Sequence, residues 1–417
     1  MFTKASFWLK FSLLNLFFVA VLGLIMRYKI GFEFPFLDQK NLQQSHSHFA
    51  FAGWVTHTIM VLMIVVLSCK IDRSKMHFLK KYDLVLGANL ACSYGMLISF
   101  IIQGYGMISI LFSTLSIFIG FVFAYLYFRD LKLLPKDDLS KNWFKAGLFF
   151  NVISSVGSFY LAYIMLTKHI LQNEYLASVY YYLHFQYNGW FFFACMGLLV
   201  TLLNVKVAEN SYYSRFFYLL FFTCIPAYFL STLWLDLPFW VYVLTVVAAL
   251  IQVYAWAKFL IIIVKARNGF LNQYPLFLKY IFLFAGFALS LKFVLQLAST
   301  IPVLSQLTFG FRPIVIAYLH LILLAVISLF LLFYIFATGV IQIGKYVKFG
   351  LITFTVGVLL NEAILAVQGI ASFSYTAIPF INEMLFGAAI ILVLGIGITF
   401  IFALKCSSVT KIEDSTR

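Results

Sequence analysis

Apolar runs of about 20 residues recur along the whole chain, and that length is what an α-helix needs to cross roughly 30 Å of hydrocarbon. Of 417 residues, 64% are hydrophobic and 10% charged, with a mean hydropathy of +1.00. A water-soluble domain cannot bury that much apolar surface. A transmembrane barrel would alternate polar and apolar residues over short strands, which these runs do not do. The expected fold class is therefore an all-α integral membrane protein of about twelve transmembrane helices, forming one membrane domain over 1–417. The spans are expected at 7–26, 44–68, 83–103, 107–128, 143–166, 178–203, 215–232, 238–262, 277–299, 314–337, 348–370 and 379–404. The first run continues apolar to Met26 without a small-x-small cleavage pattern and is retained as a span.

The formal charge of +15 is distributed as topology demands, not as a polyanion site. Lys70, Arg73, Lys75, Lys80 and Lys81 share one connection, and Arg129, Lys132, Lys136 and Lys141 another. Lys206 and Arg215, then Lys258, Lys265, Arg267 and Lys279, then Lys345 and Lys348 continue the series. Connections 104–107, 233–237 and 372–378 carry no Lys or Arg. This alternation is the positive-inside rule and puts both termini in the cytoplasm, with no nucleic-acid partner. Arg27, Lys29 and Lys40 break it on the first connection. The five cysteines form no CxxC pair and read as small core residues. Pro35, Pro135 and Pro302 mark the longer connections as turns.

Within this apolar text one phrase is written twice, HFAFAGW at 48–54 and HFQYNGW at 184–190. His184 lies 136 residues after His48, and His320 lies 136 after His184, in HLILLAV, which lacks the Gly-Trp ending. The three fall on helices 2, 6 and 10, so the chain reads as three four-helix units, approximately 1–142, 143–276 and 277–417. Ionisable groups inside a bilayer are costly and need partners, and a neutral imidazole is a ligand for iron, copper or zinc. Glycine five residues after the first two histidines removes a side chain where a flat ligand or a neighbouring helix must approach. Histidines on separate helices with such clearance fit a haem; histidines hydrogen-bonded between helices in an ancestral repeat fit as well. His46 and His48 are about 200° apart on a helix and face opposite ways. His57, deeper on the same helix, suits a second metal, a proton path or plain packing. His77 and His169 read as solvated loop residues.

Twelve helices in three four-helix arcs, with HSHFAFAGW on helix 2 and histidines on helices 6 and 10, resemble the catalytic subunit of the haem–copper oxidase superfamily, which includes nitric oxide reductases. A looser resemblance is to twelve-span haem–copper membrane proteins linked to nitric oxide stress. The resemblance implies a low-spin haem clamped by His48 (or His46) and His320. It also implies copper at His184, with Tyr187 similar to the active-site tyrosine of some members at about one residue shorter spacing. Helix 7, FFYLLFFTCIPAYFLSTL, holds none of the family's two further copper ligands, and helix 10 has Tyr318-x-His320 in place of His-x-His. The implied protein is thus a relative without a complete three-histidine copper site, in a bacterial-type inner membrane. It would act on or sense O2 or NO, with an electron-donor protein or companion subunit as partner.

Among other polar residues, Arg312 and Lys292 are candidates for haem propionates, Arg312 having the bidentate geometry for a carboxylate. Glu362, deep in helix 11 beside Asn361, is the candidate proton-carrying carboxylate. Interfacial anchoring for Arg312 and a neutral structural role for Glu362 remain the alternatives. Two other functional classes fit twelve spans: a secondary transporter with a histidine-lined polar site, and a haem sensor or assembly factor without turnover.

Overall fold

In the computed structural model, residues 2–71, 79–168, 171–203 and 210–406 are described. Arg73, Lys75, His77, His169 and Lys206 lie outside them. Among the described residues, eleven helices are long and apolar enough to cross a membrane, and a bent pair, counted as one span, makes a twelfth. They are α1 (Lys4–Gly31), α2 (Gln39–Lys70), α3 (Lys80–Gln103), α4 (Met107–Leu133), α5 (Ser140–Thr167), α6 (Gln172–Leu202), α7 (Tyr213–Cys224 and Pro226–Thr232), α8 (Phe239–Lys265), α9 (Leu276–Ala298), α10 (Arg312–Ala337), α11 (Lys345–Phe373) and α12 (Ile381–Lys405). The protein is a multi-pass membrane protein whose lipid partner is written in its outer faces. Large apolar side chains such as Phe118, Phe159, Phe287 and Ile370 stand exposed along the spans, where only hydrocarbon suits them.

The helices sort by how much apolar surface they hide. The apolar stretches of α2 and α6 are each 83% buried, against 22–50% for the other single spans. α2, α6 and α10 touch pairwise at the centre, and the remaining helices wrap them, each packed on its chain neighbour, with α12 against α1. The three helices that carry the spaced histidines are therefore the inner three. Pro226 breaks α7 by 43° because it lacks an N–H and its ring collides with the preceding turn. The connection around Pro302 is not irregular, as the proline suggested: it holds a short helix, Pro302–Gly310, with Pro302 at the first position, where a missing N–H costs nothing. The α3–α4 hairpin turns at Gly104, whose φ of +60° a side chain would oppose.

At the cation-rich end, the charges brace helices as well as orient them. Lys4 meets Asp83 at 2.7 Å, linking α1 to α3. Lys81 meets Asp130 at 2.5 Å, linking α3 to α4. Lys70 of α2 meets Asp138, before α5, at 2.6 Å.

Candidate functional site

Each inner helix changes its winding one or two residues after its histidine. π-Helical segments run over Ala50–Thr56 in α2, Phe185–Phe191 in α6 and Leu321–Ser328 in α10. A π turn widens the helix by one residue and leaves carbonyls without their usual partners, a feature concentrated at functional positions. Side chains from neighbouring helices take those carbonyls up in α2. Asn15 donates to Gly53 O at 2.6 Å, held by Tyr94, whose hydroxyl donates to Asn15 Oδ1 at 2.7 Å. Asn89 donates to Ala52 O at 3.2 Å. The threefold interval in the histidines is thus also an interval in backbone geometry. The third segment has it without the Gly-Trp phrase.

The two repeated glycines make room for side chains of the fold. A Cβ at Gly189 would lie 2.5 Å from Phe150 Cβ on α5, and one at Gly53 would lie 2.8 Å from the Phe49 ring. The repeated tryptophans pin the inner helices to one another. Trp54 Nε1 of α2 donates to Ser328 Oγ of α10 at 2.8 Å, and Trp190 Nε1 of α6 donates to Thr56 Oγ1 of α2 at 3.4 Å.

The three equally spaced histidines do not meet. His48 turns toward α3, stacking on Phe100 at 4.3 Å with its Nε2 3.0 Å from the Tyr105 hydroxyl. His184 is buried, and both its nitrogens are engaged. Its Nε2 donates to Cys224 O at 2.8 Å, and its Nδ1 accepts from Asn188 Nδ2 at 3.1 Å. That carbonyl is available because the α7 break at Ile225–Pro226 removes its helical donor; Tyr228 N instead donates to Ile225 O.

His46, two residues before His48, is the one within electrostatic reach of His320, and Arg27 of α1 acts on both. His46 Nδ1 donates to Val19 O at 3.1 Å, and His320 Nδ1 donates to Ile316 O at 2.9 Å. A carbonyl can only accept, so each ring carries its proton on Nδ1 and presents the Nε2 lone pair, the second-shell arrangement of metal-binding histidines. Neither Nε2 has a protein partner among the described residues. The His46 ring lies against Gly23 of α1, where an added Cβ would sit 3.5 Å from Cε1. Arg312, at the start of α10, donates from Nη2 to Gln43 Oε1 at 2.7 Å, holding α10 to α2 one turn from His46. Arg27 was visible in the sequence only as an exception to the charge rule; here it lies within electrostatic reach of both histidines.

The remaining candidates are dispersed. Lys292 of α9 is not with His46 and His320. It is buried, with its ammonium 4.1 Å from the Phe293 ring centre and 5.9 Å from that of Phe192, within electrostatic reach of His184 and Cys224. Tyr187 is buried nearby, within electrostatic reach of Tyr318. His57 is buried against the Trp8 ring, 5.9 Å between centres, and near the Trp8 backbone. Glu362 of α11 accepts from Asn361 Nδ2 at 3.1 Å. No group of three or more His, Cys, Asp or Glu side chains able to share a metal ion occurs among the described residues. No protein-family model matches this chain, and no curated protein matches it in sequence.

Proposed function

We propose that this is a haem-binding redox protein of the inner membrane, similar to haem–copper oxidase and nitric oxide reductase catalytic subunits, acting on or sensing O2 or NO. The observation that carries the reading is the pair His46 and His320: imidazoles on different helices within electrostatic reach of each other, each with Nδ1 held by a backbone carbonyl and Nε2 free. The donor set fits a haem. Two neutral imidazoles suit its iron, and Arg27, in electrostatic reach of both, supplies the cation that a propionate needs in a low-dielectric setting. Val19 and Ile316 fix the two rings, and Gly23 leaves the His46 ring its space. When bound, a haem supplies reversible one-electron chemistry, whose potential follows ligand identity and burial. The reading carries with it three four-helix units and cytoplasmic termini.

A second reading, a haem sensor or electron relay without turnover at a second metal, is favoured by His184, both of whose nitrogens are already bonded within the protein. Copper at His184 would require Asn188 or the Cys224 carbonyl to let go.

Purified protein should show a Soret band that shifts on reduction, with sharp visible bands for two axial histidines. His46→Ala and His320→Ala should each remove most of the pigment, while His48→Ala should keep it. Full pigment in both of the first two variants would refute the assignment. Gas consumption by the pigmented protein then separates the enzyme from the sensor, and a pigment-free protein with substrate-dependent uptake in vesicles would be a transporter.

A further inference from the structure

The inner helices are pinned by two tryptophan–hydroxyl contacts where threefold repetition calls for three. Position six after each histidine is Trp54, Trp190 and Val326, and position eight is Thr56, Phe192 and Ser328. Trp54 bonds Ser328 and Trp190 bonds Thr56. The third pair would join α10 to α6, but it consists of Val326 and Phe192, which cannot form that bond. A cavity of ≈ 200 Å³ lies there, lined by both of them.

The cavity's lining is mostly apolar, with Tyr187, Asn188, Ser290 and Lys292 among its polar groups. Lys292 is 4% exposed, and among the described residues it makes no hydrogen bond or ion pair with the protein. Aromatic faces alone hold its ammonium, that of Phe192 among them. An ammonium at membrane depth is costly without an anion, and such residues mark binding sites by default. Between α8 and α9 the lining includes Val264, Leu283 and Phe287, which are more than half exposed on the lipid side.

We infer that this cleft binds the carboxylate head of a single-chain fatty acid entering sideways from the bilayer, with Lys292 as its counter-ion. One cation balances one negative charge. The head would sit at Lys292, with the chain leaving past Val264, Leu283 and Phe287 between α8 and α9 into the lipid.

Trp256 lines the cleft and reports on its contents. Titrating the purified protein with a chain-brominated long-chain carboxylate should give saturable fluorescence quenching, absent in Trp256→Phe. Lys292→Met should weaken binding at least tenfold and Lys292→Arg should largely keep it. Val326→Trp should abolish it by filling the place of the missing indole, with Lys292 still present. The methyl ester of the same acid should fail to bind the unaltered protein, a test that needs no variant to fold. Equal quenching by acid and ester would overturn the inference, as would equal quenching with and without Lys292. Lys292-dependent quenching by brominated phosphatidylglycerol instead of the free acid would also overturn it. Loss of haem from Lys292→Met with acid binding intact would assign the lysine to the prosthetic group and end the proposal. Haem content does not enter the binding readout, so this inference fails or stands separately from the haem reading.

Discussion

At the scale of single residues, the geometry turns on which nitrogen of each imidazole is committed. His46 and His320 commit Nδ1, His48 offers Nε2 to Tyr105, and His184 commits both. None of this was legible in the sequence, where His46 and His48 differ only by facing opposite sides of a helix. Choosing between them required knowing which side α10 occupies. Arg27 was legible only as an anomaly. Of the two uses that the glycines allowed, a flat ligand or a neighbouring helix, Gly189 serves the second: its space belongs to Phe150 of α5. Gly189→Ala should therefore destabilise the fold by about 1–3 kcal/mol, the usual cost of overpacking, read as a lower thermal unfolding midpoint in detergent. Gly53→Ala should cost less, because it displaces only the Phe49 ring, on its own helix. Asp138 gives the residue-scale pH dependence. Burial raises its pKa, but the Lys70 ammonium and the Ser140 hydroxyl and N–H outweigh that and hold the carboxyl below its ordinary range. A depressed carboxylate contributes stability above its unfolded pKa of about 3.9 and loses it as pH falls through the folded value. Acid titration below about pH 4 should lower the unfolding midpoint more in the native protein than in Asp138→Asn; parallel curves would remove the effect.

At the scale of elements, span length was the reliable signal, because the hydrocarbon thickness sets it directly. All twelve expected spans coincide with described helices, the seventh as a bent pair. The π-helical segments were not legible, since the third, LILLAVIS, shares no motif with the first two. What they share is position after a histidine, and the partners that accommodate the freed carbonyls, Asn15 and Asn89, come from other helices. The Trp54 contact shows what the repeated phrase does: it fastens α2 to α10. Trp54→Phe keeps the ring and deletes the N–H, and Ser328 Oγ still donates to Leu323 O at 2.7 Å. The expected loss is about 0.6–1 kcal/mol, the size of one hydrogen bond between membrane helices. Trp190→Phe, at a longer contact, should lose less. Equal midpoints for Trp54→Phe and the native protein would show that the contact contributes nothing.

At the scale of the whole molecule, the apolar fraction forecast the solvent, but neither it nor the charge pattern forecast packing. That α2, α6 and α10 form the centre follows from how little lipid-facing surface they expose, which periodicity could not show because these helices are apolar on every side. The sequence pattern also gave threefold order more completely than the molecule has it. Indole contacts occupy two of the three inner faces; along the α6–α10 seam a cleft takes the place of the third, and the Thr201 and Tyr334 hydroxyls, 2.7 Å apart, join the two helices nearer their C-terminal ends. Displacement of α10 along that seam would carry His320 with it and reset the angle its imidazole offers to His46. Whatever wedges the seam open or lets it close therefore has mechanical leverage over the paired histidines, without touching either one.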